Sequence, residues 1–325
     1  MSRGTCSERR DPLALAKWVQ SRRQAEESLL QDRAFCVMTI VALAVSACAR
    51  PGVPQATTDV LPRVGIALGG GGARGFAEIG VLRVLEQERI PVAAVAGTSV
   101  GALVGALYAD TGRVLDAEFH AVALHEADIF DYALSSVLSG GLIKGELLEE
   151  FLRTRLRNQT IEHMALPFAA VAVDLRTGQP MIFSHGPVAP VVHASAAIPG
   201  VFVPVTIDGK TYVDGCVVDP VPADAARQLG AEVVIAVAIP PDIPQETPTN
   251  PLVIAYRAVT IMASLIGDLR SREADIVIRP EVGDVAFDDF SQKKRLIEAG
   301  EAAARAALPE IREVIRAKTR HEPAR

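Results

Sequence analysis

The stretch from Val64 to Gly101, VGIALGGGGARGFAEIGVLRVLEQERIPVAAVAGTSVG, limits what this chain can fold into more than any other. A short apolar run ends in four glycines, followed by Ala73, Arg74 and Gly75. An amphipathic segment comes next, then a second apolar run, then Gly97-Thr98-Ser99-Val100-Gly101. The periods read as strand, glycine-rich turn, helix, strand, sharp turn, helix. Runs such as Val64–Leu68 suit buried parallel strands. The helix, about Arg74 to Gln87, places Phe76, Ile79, Leu82 and Leu85 on one face, which makes them cover for a sheet. Glu78 falls in its first turn, where an acid favours the helix dipole. The second turn has the G-x-S-x-G pattern of a nucleophile elbow, a tight strand-to-helix turn that exposes a serine hydroxyl. Gly97 and Gly101 supply the small volume that such a turn needs.

The glycine turn, alone, is ambiguous. Backbone amides of Gly70, Gly71 and Gly72, backed by the positive end of the following helix, form a nest for an anion. That anion is either a phosphate or the oxyanion of an acyl-transfer intermediate. Gly70 to Gly75 also satisfies the dinucleotide pattern G-x-G-x-x-G, which asks for an acid near the end of the second strand. The run Val92 to Ala96 leads instead into the serine turn, with no acid there. A phosphate-binding P-loop is excluded because no Gly-Lys-Ser/Thr follows the glycines.

Downstream, a Gly/Ala-rich helix follows Ser99, about Val100 to Tyr108, and residues 111 to 160 read as mostly helical. Ser135 to Gly141 is a flexible break, and the region is equally a cap over a site or an ordinary insertion. Strands are expected at Phe168–Val173 and Met181–Phe183, with a short helix over His193–Gly200. A hairpin about Asp208-Gly209 joins Val203–Val205 to Thr211–Val213. Next come a helix Pro222–Leu229, a strand Glu232–Ala238, a proline-rich loop, a helix Leu252–Leu269, a strand Asp275–Ile278 and a helical stretch Asp289–Ala317. Strands alternating with helices imply a mainly parallel sheet covered on both faces.

The N-terminus reads as a targeting segment. Arg22, Arg23 and Arg33 precede an apolar run, Phe35 to Val45, that is too short to span a membrane and leads into small residues. Ser46-Ala47-Cys48 resembles the lipobox of bacterial lipoproteins. That implies a signal peptide over residues 1–47, with Cys48 the lipidated first residue of the mature chain. Of four cysteines only Cys216 would then remain, so no disulfide framework is expected. Residues 48–62 read as a Pro/Thr/Ala linker, 63–318 as the folded domain and 319–325 as a charged disordered tail. The net charge of −6 gives no reason to expect a nucleic-acid partner.

A serine nucleophile needs a base. His321 is the one histidine after Asp214, so the Ser, Asp, His order of an α/β-hydrolase fails. His120, His125, His163, His185 and His193 sit in no motif. Asp214, followed by Gly215 at a strand end, is the best-placed carboxylate to act directly on Ser99. On the residues alone it reads equally as a structural Asx turn.

Taken together, the motifs resemble those of the patatin-like phospholipases, which join a glycine-rich oxyanion turn with arginine, a G-x-S-x-G serine and a D-G-G/A aspartate. Here these are Gly70, Gly71, Gly72 and Arg74, then Gly97 to Gly101, then Asp214-Gly215. The block ASAAIPGVFVPV, Ala194 to Val205, is similar to the segment that family carries between serine and aspartate. Cys216 stands where the family has glycine or alanine, Glu78 where many bacterial relatives have histidine, and Asp219 where asparagine is frequent. The resemblance implies a three-layer α/β/α fold and a Ser99–Asp214 dyad. Gly70, Gly71 and Gly72 would hold the oxyanion, with Arg74 orienting the turn or adding charge. It further implies hydrolysis of phospholipid or other acyl-lipid esters, of phospholipase A or lysophospholipase type, with no cofactor and no metal. Ala49 after the lipobox cysteine implies an outer-membrane lipoprotein facing the periplasm. Two other classes stay open: a nucleotide- or phosphate-binding protein using the glycine turn, and a non-catalytic lipid-binding lipoprotein.

Overall fold

The computed structural model describes residues 57–132, 140–241, 243 and 246–323, together with 17 and 20–24, which are helical. The remainder of the expected signal peptide, Cys48, most of the linker and residues 135–139 of the expected break lie outside the described residues. The chain forms two compact units, Met1–Thr58 with Glu322–Arg325, and Asp59–His321. Strand β1 (Thr57–Val60) pairs with β10 (Arg320–Pro323) in a two-stranded sheet. Linker and tail, expected as unstructured, thus each hold a strand. His321 Nδ1 meets Asp59 Oδ1 at 2.7 Å and Arg320 pairs with Glu232, contacts between distant segments that no local pattern reveals.

The second unit is built on an eight-stranded sheet. Its strands are β2 (Val64–Leu68), β3 (Val92–Thr98), β4 (Phe168–Asp174), β5 (Pro180–Phe183), β6 (Val205–Ile207), β7 (Lys210–Asp214), β8 (Val233–Val237) and β9 (Ile276–Ile278). The order is β6-β7-β4-β3-β2-β8-β9, with β5 also on β4. The run β4-β3-β2-β8-β9 is parallel, and β5, β6 and β7 enter antiparallel. Side chains alternate across a strand, so the sheet sorts its residues by face. Val64, Ile66 and Leu68, with Val233, Ile235 and Val237, pack into one large apolar cluster. That cluster includes residues of α1 (Phe76–Gln87), α2 (Val100–Ala109) and α8 (Lys293–Lys318). Ala67, Ala96, Val234 and Ala236 face the other way, against Ala223, Ala225 and Ala226 of the short α6 (Ala223–Gln228). Bulky residues on one face and alanines on the other give a thick and a thin helical layer about one sheet. This is the expected three-layer α/β/α arrangement with a mainly parallel sheet.

Between β3 and β4 lie α2, α3 (Val114–Ala123) and α4 (Glu146–Arg155). Ile143 is buried and bridges Phe202, and its amide donates to Val201 O at 3.0 Å, while Leu142 and Lys144 on either side of it are exposed. The helix expected from His193 begins earlier: α5 spans Val188–Ala196. Pro190 sits within its first turn, where no intrahelical N–H is needed, so a proline that reads as a breaker is accommodated. The remaining helix, α7 (Pro251–Ser271), follows the proline-rich loop.

The register of β4 sets where the two ends of the site meet. β4 pairs with β5 over residues 170–173, with β3 over 168–171 and with β7 over 172–174. A strand has two edges. β5 overlaps both other registers, so it takes one edge, and β3 and β7 share the other end to end. Thr98 lies opposite Val171 and Asp214 opposite Ala172. The C-terminal ends of a parallel and an antiparallel strand therefore meet head to head, with Ser99 and Asp214 at the meeting point.

Candidate active site

Ser99 leaves β3 with φ 57 and ψ −123, a conformation that L residues rarely adopt and that marks the elbow. The turn closes so tightly that a Cβ on Gly97 would strike Gly101 O, and one on Gly101 would strike Leu68 O. The strained peptide is held from outside. Ser99 N–H donates to Ser195 Oγ at 3.0 Å, and Ser195 donates in turn to Val171 O at 2.6 Å. Thr98 Oγ1 donates to Asp219 O at 2.9 Å, tying the strand end to the segment beyond Asp214.

Ser99 Oγ donates to Asp214 Oδ2 at 2.7 Å. Asp214 is 2% exposed. Its other oxygen accepts from Cys216 N–H at 2.8 Å, and its amide donates to Ala197 O at 2.9 Å. Burial pushes its carboxyl up to about 6, partly offset by the bonds from Ser99 and Cys216. None of the six histidines is bonded to Ser99. His193, buried on α5, meets Glu149 Oε1 at 2.8 Å, and His163 and His185 bond to neighbouring hydroxyls. Burial also pushes the Cys216 thiol well up, with the Asp214 charge adding to the rise, so it stays a neutral thiol beside the pair. Cys216 closes on the glycine turn: a Cβ on Gly70 would overlap its Sγ.

The glycine turn departs from expectation at one position. The Gly70 amide, expected among the oxyanion donors, already donates to Pro220 O at 3.0 Å, as Gly69 does to Val237 O and Ala73 to Phe287 O. Gly71 and Gly72 keep amides that bond to nothing else among the described residues. Arg74 is buried and works on the turn itself: Nε donates to Gly71 O at 3.1 Å and Nη1 to Pro240 O at 2.8 Å. Of the two roles open to it, the contacts are those of orienting the turn. After Gly72–Gly75 makes one 3-10 turn, α1 begins at Phe76. Glu78, expected to complement the helix dipole as a charge, is fully buried, and burial raises its pKa well above the carboxylate range.

Two cavities meet at Ser99. The larger, about 360 Å³, is lined by the glycine turn, Ser99, Asp214, Cys216 and the inner side of α7, with Asp268 and Arg279. The smaller, about 70 Å³, is apolar and runs between α2, α3 and α4, bounded by Leu103, Leu107, Leu124, Leu148 and Phe202. Ser195 is the site residue whose part the sequence concealed. Its one local signal is a hydroxyl inside the apolar run of α5.

Comparison with known proteins bears on the same segment. A family model for the patatin-like phospholipases matches residues 66–227, which contain the glycine turn, the serine elbow and the aspartate. An uncharacterized NTE family protein of Mycobacterium tuberculosis is 36% identical over 178 residues, covering 55% of this chain and 49% of that protein. The patatin-like phospholipase domain-containing protein 7 of Mus musculus is 32% identical over 186 residues, covering 54% of this chain and 13% of that protein. The chain thus aligns to half or less of the length of these relatives. Among solved structures, VipD from Legionella pneumophila overlaps with a TM-score of 0.47 at 14% identity, over 79% of this chain and 69% of that one. With the three motifs in order inside the matched segment and joined through one sheet, this chain belongs to the patatin-like phospholipase family.

Proposed function

We propose that the chain is a lipid acyl hydrolase that cleaves carboxylic esters through a Ser99–Asp214 dyad and an acyl-enzyme. The observation that carries this reading is the 2.7 Å hydrogen bond from Ser99 Oγ to Asp214 Oδ2 at a strained elbow where two cavities meet. Ser99 Oγ attacks the ester carbonyl carbon while its proton passes to Asp214. The carbonyl oxygen becomes an oxyanion that the Gly71 and Gly72 amides receive, in a turn fixed by Arg74. Collapse breaks the ester C–O bond, and the departing alkoxide takes the proton from Asp214. Water then gives a proton to Asp214 and attacks the acyl carbon; collapse breaks the Ser99 ester bond, releases the fatty acid, and Ser99 Oγ takes the proton back from Asp214.

The apolar cavity suits the acyl chain. The mixed one, with Asp268 and Arg279, suits the alcohol portion of a phospholipid or lysophospholipid. Anchoring belongs to the same proposal: acylation at Cys48 would hold the domain by its linker at the periplasmic face of the outer membrane, a reading supported by the lipobox resemblance alone. Labelling with a fluorophosphonate, alongside mass spectrometry of products from phosphatidylcholine and lysophosphatidylcholine, tests the chemistry. Parent protein should label and release fatty acid, and folded Ser99→Ala should do neither. A folded parent that neither labels nor turns over removes the hydrolase reading and brings the phosphate-binding and lipid-binding alternatives forward. Palmitate incorporation that vanishes in Cys48→Ser tests the anchor.

A further inference from the structure

The long helix α7 has two faces in different company. Tyr256, Val259, Ala263 and Gly267 turn inward and line the larger cavity with Ser99 and Asp214. The opposite side is apolar and bare. Ile254, Ala258, Ile261, Met262, Leu265 and Leu269 are exposed and recur at helical spacing, within about 100° of arc. Met262 is 54%, Leu265 63% and Leu269 61% exposed. A helix that only covers a core carries one apolar stripe; this one carries a second, facing solvent.

We propose that the outer stripe of α7 is the face by which the domain lies on a phospholipid bilayer. The use made of the docking, feeding lipid to the cavity behind α7, rests on the hydrolase reading; the docking itself does not. Three observations favour a bilayer. Asp268 and Arg279, paired at 3.3 Å, line the cavity with side chains 63% and 47% exposed, so the cavity opens at the last turns of α7, beside Leu265 and Leu269. Whatever seats on the stripe borders that mouth. From Pro251 to Arg279 the chain carries Arg257, Arg270, Arg272 and Arg279 against Asp268, Glu273 and Asp275, a net positive stretch in a chain of net charge −6. Apolar side chains flanked by arginines match the layering of tails beneath headgroups. Finally, the stripe is small for a second copy. From Ile254 to Leu269 it is about 22 Å long and about 10 Å wide, so a pair would bury about 450 Å², against the roughly 1,200 Å² of a stable interface.

The test uses the full chain with Cys48→Ser, so that no acyl group there can tether it, and flotation with vesicles of phosphatidylcholine, alone and mixed with phosphatidylglycerol. The parent should float, and Leu265→Glu with Leu269→Glu should lower the floated fraction roughly tenfold while a water-soluble short-chain ester is hydrolysed at the parent rate. In a separate Leu265→Trp variant, emission above that of the single native tryptophan should shift to the blue on adding vesicles. Equal flotation of the double variant, or no spectral shift, overturns the proposal. So does a concentration-dependent dimer that the charged variant dissociates, which would seat a second copy on the stripe. Ser99→Ala should float like the parent, since docking needs no turnover; a parent that floats but releases no fatty acid would remove the hydrolase reading and leave the docking standing.

Discussion

Replacing the base should make the protein more stable as it becomes inactive. Asp214 titrates at about 6 in the folded protein, against 3.8 for an ordinary aspartate, because burial penalises its charge. The raised value means that the folded state holds the proton more tightly than the unfolded chain. Stability is therefore unaffected below about pH 3, falls as pH rises between the two values, and stays reduced above about pH 7. A gap of about two pH units corresponds to about 3 kcal/mol. Asp214→Asn removes that cost and keeps an oxygen to accept from Cys216 N–H, while the Ser99 hydroxyl can turn to accept from the new amide. Its advantage over the parent should grow from under about 1 kcal/mol at pH 4 to about 3 kcal/mol at pH 8. For a domain of this size that is a rise in Tm of roughly 6–10 °C at pH 8. Asp219, also raised to about 7 by burial, is present in both proteins and cancels in the comparison. Differential scanning calorimetry of both proteins at pH 4 and pH 8, with ester turnover measured in parallel, makes the test. An advantage identical at the two pH values, or a variant less stable than the parent at pH 8, refutes the argument that a buried charge is maintained for chemistry.

Three further outcomes follow from the same geometry. The kcat/KM for ester hydrolysis should rise through about pH 6 and level off as Asp214 ionises, whereas a profile that falls through that range would assign the base elsewhere. Ser195→Ala leaves Ser99 N–H and Val171 O without their partner, at roughly 1–3 kcal/mol; kcat should drop about tenfold with KM within about twofold, and a loss confined to KM would contradict a positioning role. Gly70→Ala should abolish fluorophosphonate labelling because its methyl meets Cys216 Sγ, and Cys216→Gly should restore part of it, an outcome that a double-mutant cycle would expose as non-additive.

The local half of this site was legible in the sequence. Gly97 to Gly101 and Asp214-Gly215 both sit where an apolar run stops at glycine, so type, position and chemistry coincide in a few residues. The long-range half was not. Nothing near Gly70 announces that Pro220 O will consume its amide, because that bond crosses about 150 residues of chain. Ser195 could be seen in its helix, yet its partners, Ser99 N–H and Val171 O, are 96 and 24 residues away. The early start of α5 was obscured by Pro190, whose meaning depends on its place in the first turn. Asp59 and His321 pair across 262 residues, which is why both ends of the domain read as unstructured. Asp214, left between base and Asx turn by the residues alone, makes the contacts of both: one oxygen caps its own turn and the other takes the bond from Ser99.

The end-to-end meeting of β3 and β7 on one edge of β4 bears on how the protein is made. Serine and aspartate are 115 residues apart. During synthesis the elbow can close once β2, β3 and β4 have emerged, but its partner has not yet been translated. The serine then waits without its carboxylate partner until the hairpin of β6 and β7 arrives and docks, Asp214 lying 42 residues beyond its β4 partner Ala172. A nascent chain, or one that has lost this hairpin, therefore holds the elbow without the carboxylate that meets Ser99 in the folded protein. The last strand to reach that edge is the one that completes the Ser99–Asp214 pair.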